Sequence, residues 1–242
     1  MFKRFGIAVL LLLAYEGHAQ LLPASGRDLI RQMYEKNHQK FYTTLTFSQK
    51  VFNYQNDSVT STDVWHEAYS SPSNLILKFS SWESGNGVVF AKDSLYTYEK
   101  GLLKSKRQRV HDLLVLGFDV NNVAPDVMIP RIAGIGYNLN KIERSMCLGR
   151  NAWLVGNPET KCFWVDMETL LFLKMSDKTG DNPRSVEFAK YENVEGCPVA
   201  TEIRFYKNSG RLYMVESYFN VRPNVAVNAE IFNPFRFAEA RW

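Results

Sequence analysis

Between Ala152 and Val221 the chain repeats one pattern, in which apolar and aromatic blocks of about 6 to 11 residues are separated by short polar turns. The turns fall at Asn157-Pro158, Met167-Glu168-Thr169, Thr179-Gly180-Asp181, Val194-Glu195-Gly196 and Asn208-Ser209-Gly210. A parallel crossover needs a dozen or more residues, so connections this short join only antiparallel neighbours. This half of the chain is therefore a long antiparallel meander, and whatever precedes it must pack on it or extend it.

Upstream, alternating segments run from Thr46 to Tyr54, Thr60 to Tyr69, Asn74 to Ser80, Gly87 to Lys92 and Ser94 to Glu99. In the third, Leu75, Leu77 and Phe79 share one face while Asn74, Lys78 and Ser80 share the other. Asn56-Asp57, Ser71-Pro72, Gly85-Asn86-Gly87 and Lys100-Gly101 supply the turns, so these strands continue the same sheet. Ahead of them, Ser25 with Asp28 resembles a capping box, and Leu29, Ile30, Met33, Tyr34 and Phe41 recur at helical spacing, which predicts one amphipathic helix laid on the sheet. In the middle of the chain, RVHDLLVLGFD sets Val110, Leu113, Leu114 and Phe118 on one helical face. APDVMIPRIAGIG then predicts a second short helix opening at Pro125, shortened or kinked by Pro130 and closed by Gly134 and Gly136. Its apolar residues, Val127, Met128, Ile129, Ile132 and Ile135, surround it almost completely, as in a segment with neighbours on several sides. The expected fold class is α+β, mainly β: one strongly curved antiparallel sheet, an incomplete β-barrel, with helices plugging its open side. A closed barrel or a sandwich is the competing architecture. No repeat or long linker divides the chain, so residues 20–242 read as a single domain.

Residues 1–19 read as a signal peptide. Lys3 and Arg4 form a positive start, Ile7 to Ala14 an apolar core, and Gly17-His18-Ala19 a small-residue site that places cleavage after Ala19. The apolar run is well short of the roughly 20 residues of a membrane span. The mature chain is thus expected to be exported and soluble, and no Cys near the cleavage point offers a site for lipid attachment. Export permits disulfides, but Cys147, Cys162 and Cys197 cannot all pair within one chain and read as buried thiols.

Catalytic patterns are weak. His38, His66 and His111 are dispersed, and no H-x-x-x-H, C-x-x-C or acidic calcium loop occurs, so no metal and no cofactor is expected. His66-Glu67 and His111-Asp112 are sequence neighbours whose side chains diverge, and no G-x-S-x-G supplies a nucleophile, so no catalytic residue is assigned. Gly134-Ile135-Gly136 follows a helix and cannot cradle a phosphate as an opening turn would. Lys104, Lys106, Arg107 and Arg109 form the one dense basic cluster. Export excludes nucleic acid as its partner and leaves an anionic membrane surface, an acidic protein or a plain solvated loop.

The strands of the meander are apolar on both faces: Phe163 and Val165 alternate with Cys162 and Trp164, and Leu171, Leu173 and Met175 with Leu170 and Phe172. Half-solvated strands alternate more cleanly. Either both faces are packed core or one lines a cavity. The order of Trp164-Val165-Asp166, an apolar strand to Met175, then Phe188, Tyr191, Gly196 and Pro198 resembles the second half of the LolA/LolB-like periplasmic lipoprotein-carrier superfamily. One helix, several strands, Trp65 and Pro72 fit its first half more loosely. The resemblance implies a periplasmic, non-catalytic half-barrel that holds a lipid or the acyl chain of a lipoprotein. Candidate lumen and lid residues are then Leu75, Leu77, Phe79, Val127, Met128, Ile132, Trp164, Leu173 and Met175. Classical carriers latch their lid helices with an Arg immediately before the Pro that follows the strand tryptophan; this chain has Ser71 there, farther from Trp65. Three readings stay open: a carrier or sensor of an apolar ligand, an envelope interaction module with a packed sheet, and a hydrolase using His66 or His111 as general base.

Overall fold

Ser25 caps the first helix by accepting a hydrogen bond from the Asp28 backbone N–H at 3.2 Å, and α1 (Gly26–Asn37) buries Leu29, Ile30 and Met33. The computed structural model describes residues 22–179 and 182–242, so the leader expected over 1–19 and the turn at Gly180-Asp181 lie outside it. After α1 comes a first meander: β1 (Thr44–Gln55), β2 (Ser58–Ser70), β3 (Asn74–Phe79), β4 (Gly87–Ala91), β5 (Ser94–Glu99) and β6 (Leu102–Gln108). A helical connection leads to α2 (Pro125–Gly134). The second meander is β7 (Ile142–Cys147), β8 (Arg150–Gly156), β9 (Lys161–Asp166), β10 (Phe172–Asp177), β11 (Arg184–Val194), β12 (Cys197–Lys207) and β13 (Leu212–Pro223).

Each meander is antiparallel throughout, and the two fuse where β1 pairs with β13. The result is one 13-stranded sheet in the order β6-β5-β4-β3-β2-β1-β13-β12-β11-β10-β9-β8-β7, whose outer strands β6 and β7 do not meet. This is the open, mainly β architecture that the turn spacing predicts. α1, α2 and the helical connection cover its inner face and share a continuous apolar core with it. On the outer face of the first meander, Ile231, Phe232, Phe237 and Ala240 from the C-terminal segment cover Ala68, Ile76, Val89 and Tyr96. Lys78 is wholly buried there, donating to the Phe237 carbonyl at 2.5 Å with its ammonium over the Phe237 ring.

Two local expectations are corrected. The solvated-loop reading of the basic cluster gives way to strand β6, exposed along its whole length at the sheet edge. With neither face buried, no apolar alternation could betray it, and its lysines suit an edge that must not pair with another chain. The segment RVHDLLVLGFD is also no one-sided helix. It forms a π-helical turn over Leu114–Phe118 followed by a 3-10 turn over Asp119–Asn121, with every residue from Leu114 to Asn121 buried. Gly117 allows this: a Cβ there would lie 2.6 Å from the Phe188 ring. Cys147, Cys162 and Cys197 are free, buried thiols. Burial pushes the first two up to about 11, which leaves them unreactive.

Candidate functional site

Strand alternation decides which side chains reach the inner face. On β2 these are Trp65, Glu67 and Tyr69, on β3 Leu75 and Leu77, and on β13 Met214, Glu216 and Tyr218. Between these strands and the connection that crosses them lies a cavity of about 380 Å³. Phe47, Leu75, Leu77, Phe90 and Phe205 make its sheet wall, and Leu113, Leu114 and Phe118 its cover. An apolar cavity of about 150 Å³ is enough to admit benzene, so this one has room for a chain of several more methylenes.

Two acids interrupt the apolar lining. Glu67 on β2 is 4% exposed and Glu216 on β13 is 8% exposed, with only β1 between their strands. Burial raises the pKa of both carboxyls, and that of Glu67 is raised further by Glu216. Gln49 of β1, wholly buried beside them, pulls Glu216 partly back without forming a hydrogen bond of good geometry. Tyr218 is raised by burial and then by both acids. From the covering segment Arg109 and His111 also line the cavity. Burial, then the neighbouring Arg109, holds His111 down to about 4, so its imidazole is neutral near pH 7. The His111 Nδ1 accepts the Leu114 N–H at 3.4 Å and its ring meets Phe90 edge-on. His111 thus caps the π-turn, with no hydroxyl or thiol among its hydrogen-bond partners.

The covering segment is tied at both ends. Asp119, wholly buried, accepts hydrogen bonds from the Tyr69 hydroxyl at 2.7 Å, the Ser73 N–H at 3.0 Å and the Ser73 hydroxyl, with the Ser71 hydroxyl at 3.4 Å. Arg131 of α2 donates to the Ser73 hydroxyl at 3.0 Å and to Asp93 at 2.5 Å. Where the resemblance puts an arginine before the proline, Ser71 and its neighbours serve as donors instead, and the charged partner, Asp119, sits on the cover. At the near end Lys161 bridges Asp112 at 2.8 Å and Asp177 at 3.2 Å, and the Tyr137 hydroxyl donates to Asp112.

The residues singled out from sequence fall into separate places. Leu75, Leu77 and Arg109 line the cavity; Phe79 does not, and packs against Trp65 with the rings tilted and their centroids 4.5 Å apart. Met128, Ile132 and Met175 are buried in the core beside the cavity but do not line it. Val127 is 55% exposed, so the apolar girdle of α2 is incomplete. Trp164 and Leu173 are on the outer face with Cys147 and Ala152, because Phe163, Val165, Phe172 and Met175 take the inward positions of β9 and β10. Lys104 pairs with Glu99 at 3.2 Å, Lys106 lies over the Tyr96 ring, and Arg107, like them, is exposed on β6. His66 is a cross-strand neighbour of Ser48, whose hydroxyl lies 2.9 Å from its Nδ1; it stacks on Trp82 and does not line the cavity. Among the described residues no three His, Cys, Asp or Glu side chains converge as metal ligands. Strand patterning alone does not single out the acid pair. Its signal was present in Trp65-x-Glu67-x-Tyr69 and Met214-x-Glu216-x-Tyr218, where a charged residue stands between large apolar neighbours two positions away.

No protein-family model matches the sequence, and no curated protein sequence does. Solved structures do match the fold. A DUF1329 family protein from Desulfovibrio piger aligns over 86% of this chain and 95% of its own at 16% identity, with a TM-score of 0.58. A LolA superfamily protein from Nitrosomonas europaea aligns over 84% and 96% at 13% identity, with a TM-score of 0.55. A domain from Vibrio parahaemolyticus, described as an outer membrane lipoprotein-sorting protein, aligns over 88% and 98% at 13% identity, with a TM-score of 0.57. Identity this low speaks for architecture alone, and the architecture is clear: the chain has the LolA-like fold.

Proposed function

We propose that this protein is an exported, non-catalytic carrier or sensor that holds one apolar chain, such as a lipid or the acyl chain of a lipoprotein, inside its half-barrel. The observation that carries the reading is the cavity of about 380 Å³ on the inner face, walled by Phe47, Leu75, Leu77, Phe90 and Phe205. It lies at the lower end of the size range of small-molecule sites, which are mostly apolar with a few placed polar groups. Its mouth would be the segment from Arg109 to Phe118, with Asp119 as the tie to release; α2, the lid suggested by the sequence, contributes nothing to the lining. Burying the ligand's apolar surface at about 25 cal/mol per Å² drives the binding. A packed interaction module offers no use for such a space. Periplasmic placement rests on the leader read at residues 1–19 and on the fold, and contact with a membrane surface would fall to the exposed cations of β6.

The reading is tested by organic extraction and mass spectrometry of the purified protein, together with titration by a fluorescent fatty acid. A bound apolar molecule, or saturable uptake that Leu77→Trp blocks by filling the cavity, is the expected result. A lumen that yields no ligand and takes up no probe sinks the carrier reading.

A further inference from the structure

The carrier reading leaves one feature of the cavity unused. Of the buried carboxyl groups, Asp166 meets Arg150 at 3.4 Å, Glu187 meets Lys174 at 2.9 Å and Asp119 accepts several donors. Glu67 and Glu216, among the described residues, pair with no cation, and the Glu67 Oε1 has no hydrogen-bond partner although that residue is 4% exposed. Buried polar atoms are almost always satisfied, and an orphan in a cavity wall marks a place where something else supplies the partner. An apolar chain alone cannot supply it. Tyr218 stands beside the pair, while Arg109 and His111 face the cavity from the cover, Arg109 being a cation that drives a like charge toward the opposite wall.

Building on the carrier reading, we propose that Glu67 and Glu216 form a head-group site, and that the lumen takes an aliphatic ligand ended by a protonated amine. The ammonium donates to the two carboxyl groups, and the chain fills the space between Leu75, Leu77, Phe90 and Leu114. One glutamic acid gives up its proton to solvent as the ammonium enters, so the pair carries one negative charge against one positive. Charge-assisted hydrogen bonds of this kind are the strong ones. Because entry of the ammonium expels a proton, affinity for the amine rises with pH until the acids ionise unaided.

The test compares decylamine, decanol and decanoic acid by calorimetry at pH 6 and pH 8, on the wild-type chain and on Glu67→Gln and Glu216→Gln. The expected result is an amine bound roughly tenfold more tightly than the alcohol at pH 8. That preference shrinks at pH 6 and disappears in either glutamine variant. Calorimetry in buffers of different ionisation heat also reads the released proton directly. Equal binding of amine and alcohol, or tightest binding of decanoic acid, overturns the head-group assignment and leaves the carrier reading intact. Failure of all three ligands to bind overturns both. Glutamine is nearly isosteric with glutamate, and should one variant fail to fold, the other carries the comparison.

Discussion

The inner face of this sheet is covered twice, in two different ways. α2 packs against α1 and the helical connection and sends Met128, Ile129 and Ile132 into the core, and none of its residues lines the inner-face cavity. The π-turn at Leu114–Phe118 sets its glycine against Phe188 and Phe172 of the second meander, and a cavity of about 380 Å³ remains between the turn and the strands of both meanders. The comparison teaches that plugging an open barrel is local. A regular helix can bring several large side chains to one line of contact. A short irregular turn, held off by Phe188 and tied down at its ends by Asp112 and Asp119, cannot fill the same width.

The contrast breaks most readily at α2. Met128→Ala and Ile132→Ala should each cost about 2 to 5 kcal/mol in urea unfolding, with ligand uptake unaltered in whatever fraction stays folded. Leu77→Ala, on the cavity wall, should cost about 1 to 2 kcal/mol because part of its surface already faces open space, and it should change uptake. A large loss of binding from the α2 substitutions, with little loss of stability, would reverse the roles assigned to the two regions.

Asp119 sharpens the comparison next. Asp119→Ala leaves the Tyr69 hydroxyl and the Ser73 donors without their acceptor and should cost about 1 to 3 kcal/mol. Hydrogen exchange should report it unevenly: amides of 112–121 open faster, while those of β9 and β10 between Phe163 and Met175 keep their protection. Uniform loss across the sheet would show that the tie supports the whole core and not the cover alone.

An effect spread over several pH units is the dependence on pH. Burial raises Glu216 from 4.5 to about 8 in the folded chain and raises Glu67 as well. Between those pH values the unfolded chain has released the Glu216 proton and the folded chain keeps it, so stability falls as pH rises, by at most about 1.4 kcal/mol per pH unit, and Glu67 adds to the fall in the same direction. Below the unfolded value the contribution is fully present. Glu216→Gln should flatten the upper part of this slope and leave the protein more stable than wild type at pH 8, as read by thermal melts across pH 5 to 8. Identical slopes in the two proteins would mean that Glu216 ionises freely and faces water.

Much of the architecture is legible in the sequence because apolar blocks of strand length are separated by short polar turns. The edges of β1 to β5 follow the apolar alternation, and α1 starts at the Ser25 cap. Strand β6 is invisible because Lys104, Lys106 and Arg107 stand where no side chain is buried on either face. Trp164 and Leu173 could not be assigned a side, since β9 and β10 are apolar on both and periodicity names no inward face. The acid pair is hidden for another reason. A glutamate in a strand ordinarily means solvent, and only the inward positions of Trp65, Tyr69, Met214 and Tyr218 reverse that inference.

That pairing has a consequence for how the molecule comes into being. Within each meander every strand meets a partner nearby in sequence, so each can form early and at little entropic cost. The junction of β1 with β13 joins the two meanders, with Leu45 opposite Pro223 and Asn53 opposite Met214. It is the long-range pairing and, by its loop-closure cost, the step expected to be slow; until it is made β1 presents a bare edge that invites pairing with other chains. Glu67 belongs to one meander and Glu216 to the other, so the acidic wall does not exist until the junction closes. Neither half of the chain alone carries the site, and a molecule whose last strand has not docked is at once prone to aggregate and unable to bind.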